Sequence, residues 1–278
     1  MNINSGGSIF YCGGDLLMKA KLKFSLPSIY MKSVLENILL KHQPAFNKLV
    51  EFNAATDKLY PVDFTAANTE LTDELITDTR IFSEYINHKL QTNNCKYGIG
   101  GYNELREMYK RSALFNFAKQ NLSTPVDTGK NVAIETEPRR LHLGIDIWGA
   151  ADTKIFAPLG GMVHSFANNK NFGDYGATII LQHQLETVVF YTLYGHLALK
   201  DIAQLKLGQF ITRGQCFAHF GNSFENGNWP PHLHFQIIED IERKEGDYPG
   251  VCKLSEKEKY LRNCPNADLV LDMMKMVK

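Results

Sequence analysis

The spacing of apolar residues changes between the two halves of the chain, and this change is the feature that most constrains the fold. From Met31 to Leu39, apolar residues recur at the i, i+3, i+4, i+7 and i+8 positions of one buried helical face. Similar helical patterns cover residues 69–90 and residues 103–120. The first half is therefore predicted to be mainly helical.

The second half consists of short β-type runs separated by turns that contain glycine and asparagine. The turns recur at intervals of roughly 8–12 residues, which is typical of an antiparallel β-domain. We therefore expect an α+β protein with a helical N-terminal region and linker (1–135), a β-rich antiparallel-sheet domain (136–245) and a C-terminal tail (246–278). The predicted strands are Leu141–Trp148, Lys154–Phe156, Met162–Phe166, Ala177–His183, Val188–Tyr194, Phe210–Thr212 and Leu233–Ile238.

Composition narrows the classes of partner. The chain has 278 residues, 44% of them hydrophobic, and its 30 basic residues balance 30 acidic ones. A neutral chain lacks the basic surplus that nucleic acids and anionic membrane surfaces favour, so neither is an expected partner. No apolar run approaches the ~20 residues of a membrane helix, so no transmembrane segment is expected. The oligomeric state is left open.

The cysteines and the N-terminus give weaker indications. The five cysteines are odd in number and widely spaced, which favours reduced thiols, with a Cys252–Cys264 pair as the alternative. No basic residue precedes Lys19, so a clear signal peptide is not visible. By sequence, a cytoplasmic location is expected.

A pattern of five residues in the second half suggests a metal site, namely His142, Asp146, His196, His232 and His234. His232 and His234 lie two apart in a predicted strand, so both imidazoles point to one face. By the same reasoning His142 and Asp146 share a face, and Gly144 between them leaves space for an ion. Imidazole and carboxylate are good zinc ligands, and a catalytic zinc usually keeps three protein ligands and one open position.

Each of these motifs alone has an ordinary structural explanation, because most isolated His-x-His pairs in strands bind no metal. The two motifs together with Tyr194–Leu197, which contains His196, occur by chance much less often than either motif alone. The histidines also lie in apolar strands, where an unpaired polar group is costly. The other histidines are interpreted as surface, strand or loop residues, with a place in the cleft as the alternative for His183; they are His42, His88, His164, His183 and His219.

These motifs belong to a longer series of segments that occur in a fixed order. The series is Arg140–Asp146, Ala157–Val163, Gly176 with the apolar strand after it, Leu193–Leu197, Gly221–Ser223 and Pro231–Phe235. In this order the segments resemble the M23 family of zinc metallopeptidases, the LytM or lysostaphin-type peptidoglycan endopeptidases. The resemblance extends over about a third of the chain, from Glu137 to Glu239.

The resemblance implies a LytM-like domain with one Zn²⁺ per chain. Its ligands would be His142, Asp146 and His234, and His196 and His232 would be the catalytic histidines. The implied activity is that of a zinc-dependent metalloendopeptidase, acting on peptidoglycan cross-bridges or stem peptides. The family usually acts in the cell envelope, which opposes the cytoplasmic expectation.

One segment departs from the family pattern. The family usually reaches the His-x-His pair through a short turn rich in Gly, Ser and Thr, whereas this chain has the bulkier Phe224–Pro231. The departure leaves the metal ligands whole and is expected to alter one wall of the cleft, and with it the substrate preference.

The chemistry requires a base that removes a proton from water. The sequence has no HExxH glutamate, so the base is expected to be His196 or His232, and which of them acts is left open. Two alternatives to a cell-wall peptidase remain. One is a non-catalytic M23-like binding or scaffold domain, and the other is a cytosolic zinc hydrolase with a non-peptidoglycan substrate.

The N-terminal region is predicted to restrain the cleft. In this hypothesis Asn93 or Asn94 fills the open zinc position, and the polar stretch Ser123–Pro138 is the hinge. The alternative is that the helices simply pack on the β-domain or present it to a partner.

Three further residues, Tyr102, Arg106 and Tyr109, would share one face of the third predicted helix at i, i+4 and i+7. Such a stripe either contacts a substrate or another domain, or is an ordinary amphipathic surface on which the arginine stem covers aromatic neighbours. We favour the ordinary surface.

Overall fold

The computed structural model describes residues 32–116 and 137–277. These residues form a mixed helix and strand structure around one large, mainly antiparallel sheet, which confirms the expected α+β class. The predicted hinge lies mostly outside the described residues. Within the two described ranges, no helix combines the length and apolarity needed to cross a membrane.

The helices are short and lie before and after the strands. Helix α1 (Val34–His42) follows the first predicted pattern, and the second predicted helix is two helices, α2 (Asp73–Thr77) and α3 (Thr79–Thr92). The Asp78 carboxylate separates these two, because it caps α3 by accepting hydrogen bonds from two main-chain N–H groups. The C-terminal part adds α4 (Lys257–Asn263) and α5 (Asp268–Leu271).

The third predicted helix is wrong over the residues that the structure describes. Only two short 3₁₀ turns form there, Glu107–Arg111 and Ala113–Phe115, and Arg106 is extended at φ −108° and ψ 129°. The main chain of residues 103–106 is instead hydrogen-bonded to residues 140–142. Tertiary pairing of this kind overrides local helix propensity.

In the described part of the chain, the main sheet has eight strands in the order β1-β2-β4-β11-β8-β7-β6-β9. Strands β1 and β2 pair in parallel, and all other neighbours are antiparallel. Two small sheets, β5–β10 and β3–β12, lie beside it. The strands are β1 (Leu59–Val62), β2 (Tyr97–Gly100), β3 (Arg139–His142), β4 (Ile145–Trp148), β5 (Lys154–Phe156), β6 (Gly161–Asn169), β7 (Gly176–Leu185), β8 (Val188–Leu197), β9 (Phe210–Ile211), β10 (Cys216–His219), β11 (His232–Ile238) and β12 (Val251–Lys253).

Both halves of the chain build the same sheet and core. Strands β1 and β2 extend the sheet beyond β4, and Leu35, Leu39 and Ile99 share one buried cluster with Ile147 and Leu233. The expected domain boundary near residue 136 stays a prediction. Strand β11 lies between β4 and β8 and is buried along its whole length, which places the His-x-His pair at the centre of the sheet.

The thiols of Cys252 and Cys264 are buried and free. The structure therefore shows reduced core cysteines here rather than the alternative disulfide.

Candidate metal centre

The three predicted metal ligands meet near the centre of the sheet. His142 ends β3, Asp146 lies on β4 and His234 lies on β11, and all three side chains are buried. His142 Nε2 is 3.0 Å from His234 Nδ1 and 3.3 Å from Asp146 Oδ1, and the latter two atoms are 3.0 Å apart. These three atoms, called the ligand triangle below, are two nitrogens and one oxygen.

Strand register and a bend produce the ligand triangle. Strands β11 and β4 pair so that His234 lies opposite Asp146. The run from His142 to Asp146 is not one strand, because the chain bends at Leu143 and Gly144 between β3 and β4. The prediction that His142 and Asp146 share a strand face is therefore wrong, but the bend still brings them together.

Two outer acceptors fix the tautomers of the ligand imidazoles. His142 Nδ1 is 3.0 Å from the carbonyl oxygen of Gly101, and His234 Nε2 is 2.9 Å from Gln236 Oε1. A carbonyl oxygen can only accept, so these ring nitrogens carry the hydrogen. His142 Nε2 and His234 Nδ1 consequently face each other as bare acceptors, the arrangement that outer-shell partners impose on metal-binding histidines.

The dimensions of the ligand triangle fit a zinc ion. Zinc bonds to imidazole nitrogen and carboxylate oxygen measure about 2.0–2.2 Å, so two ligands of a tetrahedral ion lie roughly 3.3–3.6 Å apart. The observed separations of 3.0–3.3 Å are close to that range. Three bare acceptors this close together repel one another unless a cation or a proton lies between them.

The charges of the site also suit a cation. Burial raises the pKa of Asp146, but His142 and Arg106 lower it more, so the pKa lies well below its usual value and the carboxylate is ionised. The pKa of His142 is lowered to about 4, first by burial and then by Arg106. This imidazole is neutral at neutral pH, as a metal ligand has to be.

The two predicted catalytic histidines lie beside the ligand triangle. The ring centroids of His196 and His232 are 4.1 Å apart, and the His196 ring is 6.4 Å from that of His234. His196 Nδ1 is 2.8 Å from the carbonyl oxygen of Asn226, and His232 Nδ1 is 2.7 Å from that of Pro230. Both Nδ1 atoms therefore carry the hydrogen, and both Nε2 atoms are left able to accept a proton. Their catalytic role stays a prediction.

Backbone strain and ring stacking hold this pair in place. His196 has φ +63°, a left-handed conformation that is unusual for a residue with a side chain. Its N–H donates to the carbonyl of Tyr175 and its carbonyl accepts from Gly221, which fixes the strained residue. The His232 ring stacks on Trp148 at 3.9 Å between centroids and an interplanar angle of 10°.

A cavity of about 350 Å³ opens onto these side chains. Asp146 and three of the histidines described above lie in its wall, together with the aromatic rings of Tyr109, Tyr175 and Trp229. Trp229 belongs to the segment that departs from the family pattern. Trp229 is the residue of that segment that lines the cavity, and an effect of the segment on substrate preference stays a prediction.

The structure contradicts the expectation that Asn93 or Asn94 fills the open ligand position. Both side chains are exposed, and Asn93 Nδ2 donates to the carbonyl of Lys89 at 2.8 Å. An N-terminal side chain that does contact a predicted ligand is that of Arg106, whose Nη1 donates to Asp146 Oδ2. Sequence reasoning singled out Arg106 by its spacing, but the helical interpretation placed it on the surface, which is wrong.

His183 is a structural residue rather than a cleft residue. It is buried, and its two ring nitrogens pair with the Gly160 carbonyl at 2.9 Å and with Thr192 Oγ1 at 2.7 Å. His42 lies at the surface beside Glu186.

A comparison with protein-family models identifies the part of the chain that holds this site. Residues 140–246 match peptidase family M23. The matched segment contains all five of the residues singled out above, and the match confirms the resemblance drawn from the sequence. The match concerns residues 140–246 alone, which are less than half of the chain. No curated protein matches the chain.

Solved structures similar to the chain include M23-type peptidases. A zinc-containing peptidase from Vibrio cholerae is 27% identical, with a TM-score of 0.29, over 35% of this chain and 27% of that one. A putative M23 peptidase from Pseudomonas aeruginosa is 20% identical, with a TM-score of 0.31, over 47% and 43% of the two chains. The lysostaphin catalytic domain from Staphylococcus simulans is 18% identical, with a TM-score of 0.33, over 64% and 97%. This chain thus spans less than half the length of the first two.

Proposed function

We propose that the chain is a zinc-dependent metalloendopeptidase whose substrates are peptides of peptidoglycan cross-bridges or stem peptides. The observation that carries the proposal is the meeting of a metal-sized triangle of acceptors and two histidines with free Nε2 atoms at one cavity. The match of residues 140–246 to the M23 family, which includes all of these side chains, supports it.

His142 Nε2, His234 Nδ1 and Asp146 Oδ1 would hold one zinc ion per chain. When bound, zinc supplies a Lewis acid that polarises the substrate carbonyl and brings the pKa of bound water towards neutrality. The second oxygen of Asp146 is occupied by Arg106, so the carboxylate offers one oxygen to the ion.

His196 and His232 perform the proton transfers in this proposal. The attacking water loses a proton to an imidazole Nε2, which is available because Nδ1–H is committed to a main-chain carbonyl. The resulting imidazolium can donate a hydrogen bond to the developing oxyanion and return the proton to the leaving amine. Two rings 4.1 Å apart repel each other when both are charged, so at most one ring of the pair is an imidazolium at a time.

The size of the cavity suits a short peptide. A volume of about 350 Å³ accommodates a short peptide segment, and the rings of Tyr109, Tyr175 and Trp229 form part of the wall. In keeping with the M23 resemblance, we propose that the cleaved peptides contain glycine or alanine.

The test is metal analysis of the purified 278-residue chain combined with hydrolysis of cell-wall peptides, with and without a chelator. We expect about one zinc per chain and turnover that the chelator abolishes. His196→Ala and His232→Ala should keep the zinc and lose roughly 10²–10⁴-fold in rate. His234→Ala should lose the zinc. His219→Ala is the control, because His219 pairs with Asp201 outside the cavity wall.

Three results would overturn parts of this proposal. Zinc without turnover of any peptide would favour a binding or scaffold domain. Cleavage confined to peptides unrelated to the cell wall would favour the cytosolic hydrolase. Loss of zinc in His196→Ala or His232→Ala would make that residue a ligand rather than a proton carrier.

A further inference from the structure

We propose that Arg106 is a positioning residue of the metal centre, which holds the Asp146 carboxylate so that only Oδ1 is presented to the ion. This inference rests on the zinc site of the proposed function. It assigns a role at that site to a residue outside residues 140–246, the segment that matches the M23 family. The segment Gly101–Arg106 is called the clamp below.

Arg106 is fully enclosed between carboxylates and an aromatic ring. Its side chain is 0% exposed, Nη1 donates to Asp146 Oδ2, and Nε donates to Glu104 Oε2 at 2.5 Å. The guanidinium carbon lies 5.5 Å from the ring centroid of Phe64. A planar guanidinium fixed on several sides has one orientation, so it can impose one orientation on the carboxylate it binds.

The two oxygens of Asp146 have different partners. Oδ2 accepts from Arg106, whereas Oδ1 lies 3.0 Å from His234 Nδ1 and 3.3 Å from His142 Nε2. Rotation of the carboxylate would break the contact with Arg106 and move Oδ1 away from the two imidazoles. Arg106 therefore does not compete for the ligand oxygen but directs it to the metal position.

The main chain of the clamp holds a second ligand. The carbonyl of Gly101 accepts from His142 Nδ1 at 3.0 Å. Asn103 N–H donates to the carbonyl of His142 at 3.0 Å, and His142 N–H donates to the carbonyl of Glu104 at 2.9 Å. Residues 101–106 thus contact both proposed ligands of the His-x-x-x-Asp motif. The contacts of Gly101, Asn103 and Glu104 with His142 come from the main chain, whereas the contact of the Arg106 side chain can be tested by substitution.

Glu104 makes a buried arginine tolerable at a cation site. The bare sum of Arg106, Glu104 and Asp146 is one negative charge, whereas Arg106 with Asp146 alone would be neutral and less attractive to a dication. The carboxylate of Glu104 is mostly buried, with 16% of the side chain exposed. We expect Glu104 to preserve zinc affinity by offsetting the arginine charge, besides fixing the guanidinium.

The test measures zinc binding directly, apart from catalysis. Metal-free full-length protein is titrated with zinc in competition with a chromophoric chelator, and with Co²⁺ to record the absorption spectrum of the bound ion. Arg106→Met should weaken zinc binding by about 10–100-fold, the range typical of outer-shell substitutions, because the lost orientation of Asp146 outweighs the removal of one positive charge. Arg106→Lys keeps the charge but loses the planar fork, so it should recover only part of the affinity and give an altered Co²⁺ spectrum.

Arg140→Met is the matched control, because Arg140 lies on β3 beside the clamp and bonds Asn116 and main-chain carbonyls instead of a ligand. It should bind zinc like the unchanged protein. If Arg106→Met fails to fold with two unpaired carboxylates, the double variant Arg106→Met/Glu104→Gln removes one of them and is titrated in its place.

The outcomes separate this inference from the proposed function. Unchanged zinc affinity and an unchanged Co²⁺ spectrum in folded Arg106 variants would overturn the positioning role and leave the peptidase proposal standing. Weakened zinc binding in these variants would support it even if no peptide is cleaved. If the unchanged protein bound no zinc, both proposals would fall.

Discussion

At the scale of single residues, the metal centre depends on positions where side chains come unusually close. Gly144 lies at the bend between β3 and β4, and a Cβ atom there would be 2.6 Å from the carbonyl oxygen of Phe235 and 2.7 Å from His234 Cε1. From the sequence, this glycine was expected to leave space for an ion. The structure shows that the space holds the ring of His234, so Gly144 matters because it lets a ligand approach.

We predict that Gly144→Ala weakens zinc binding at least about tenfold, because the added methyl pushes the His234 ring off the ligand triangle. The same chelator competition measures it. Gly208→Ala is the control, since Gly208 lies outside the cavity wall and a Cβ there would meet no atom within 4 Å. Equal zinc affinities for the two variants would show that β11 can shift without loss of the site.

At the scale of elements, helix α3 supports the sheet directly behind a catalytic candidate. Phe82 on α3 is fully buried and packs on Phe64 and Trp148, at 5.6 Å and 6.0 Å between ring centroids. Trp148 in turn stacks on His232. A helix from the first half of the chain therefore buttresses an imidazole of the second half through three aromatic rings.

Phe82→Ala is predicted to destabilise the protein by about 3–5 kcal/mol, because it removes a buried aromatic side chain and leaves a cavity. Urea unfolding measures this free energy. Glu84→Ala, on the exposed side of the same helix, should change it by less than about 0.5 kcal/mol, because its pairing with Arg80 is solvent-exposed. Similar values for the two variants would mean that α3 is not part of the cooperative core.

At the scale of the whole molecule, residues 140–246, which match the M23 family, do not themselves supply the strand that pairs with one side of β4. Strand β2 pairs with β4 along Gly98–Gly100, and β1 pairs with β2. Without them, β4 would be an edge strand beside an uncovered Trp148, and edges of this kind promote aggregation. The residues before the linker complete the fold of the domain that holds the site.

We predict that a truncated protein beginning near Thr128 does not give a cooperative thermal unfolding transition and does not bind zinc, because it lacks β1, β2, α3 and the clamp. A protein spanning Lys32–Lys278 is the control and should unfold cooperatively, since this unit is compact by itself. The sequence-based hypothesis that the N-terminal region restrains the cleft implies the opposite, namely that this truncation uncovers the zinc and speeds cleavage. A folded, metallated truncation that cleaves several-fold faster would restore it.

The five residues of the candidate site could be named from the sequence, because their motifs occur in an order that resembles the M23 family and because His232 and His234 lie in one strand, where spacing fixes the face. The α+β class followed from the change in apolar period. The helix over residues 103–120 could not be excluded in this way, since its residues have no local signal for extended pairing.

The sequence by itself thus indicated the side chains of the candidate site and the family that their motifs resemble. The tertiary structure alone decided how those side chains are held, because the contact of Arg106 with Asp146 joins residues 40 positions apart and depends on the pairing of the clamp with β3. Local periodicity reports only which face of an element is apolar. Periodicity does not identify the distant strand with which an extended segment will pair. That pairing buries Arg106, which was expected at the surface, against the candidate ligand Asp146.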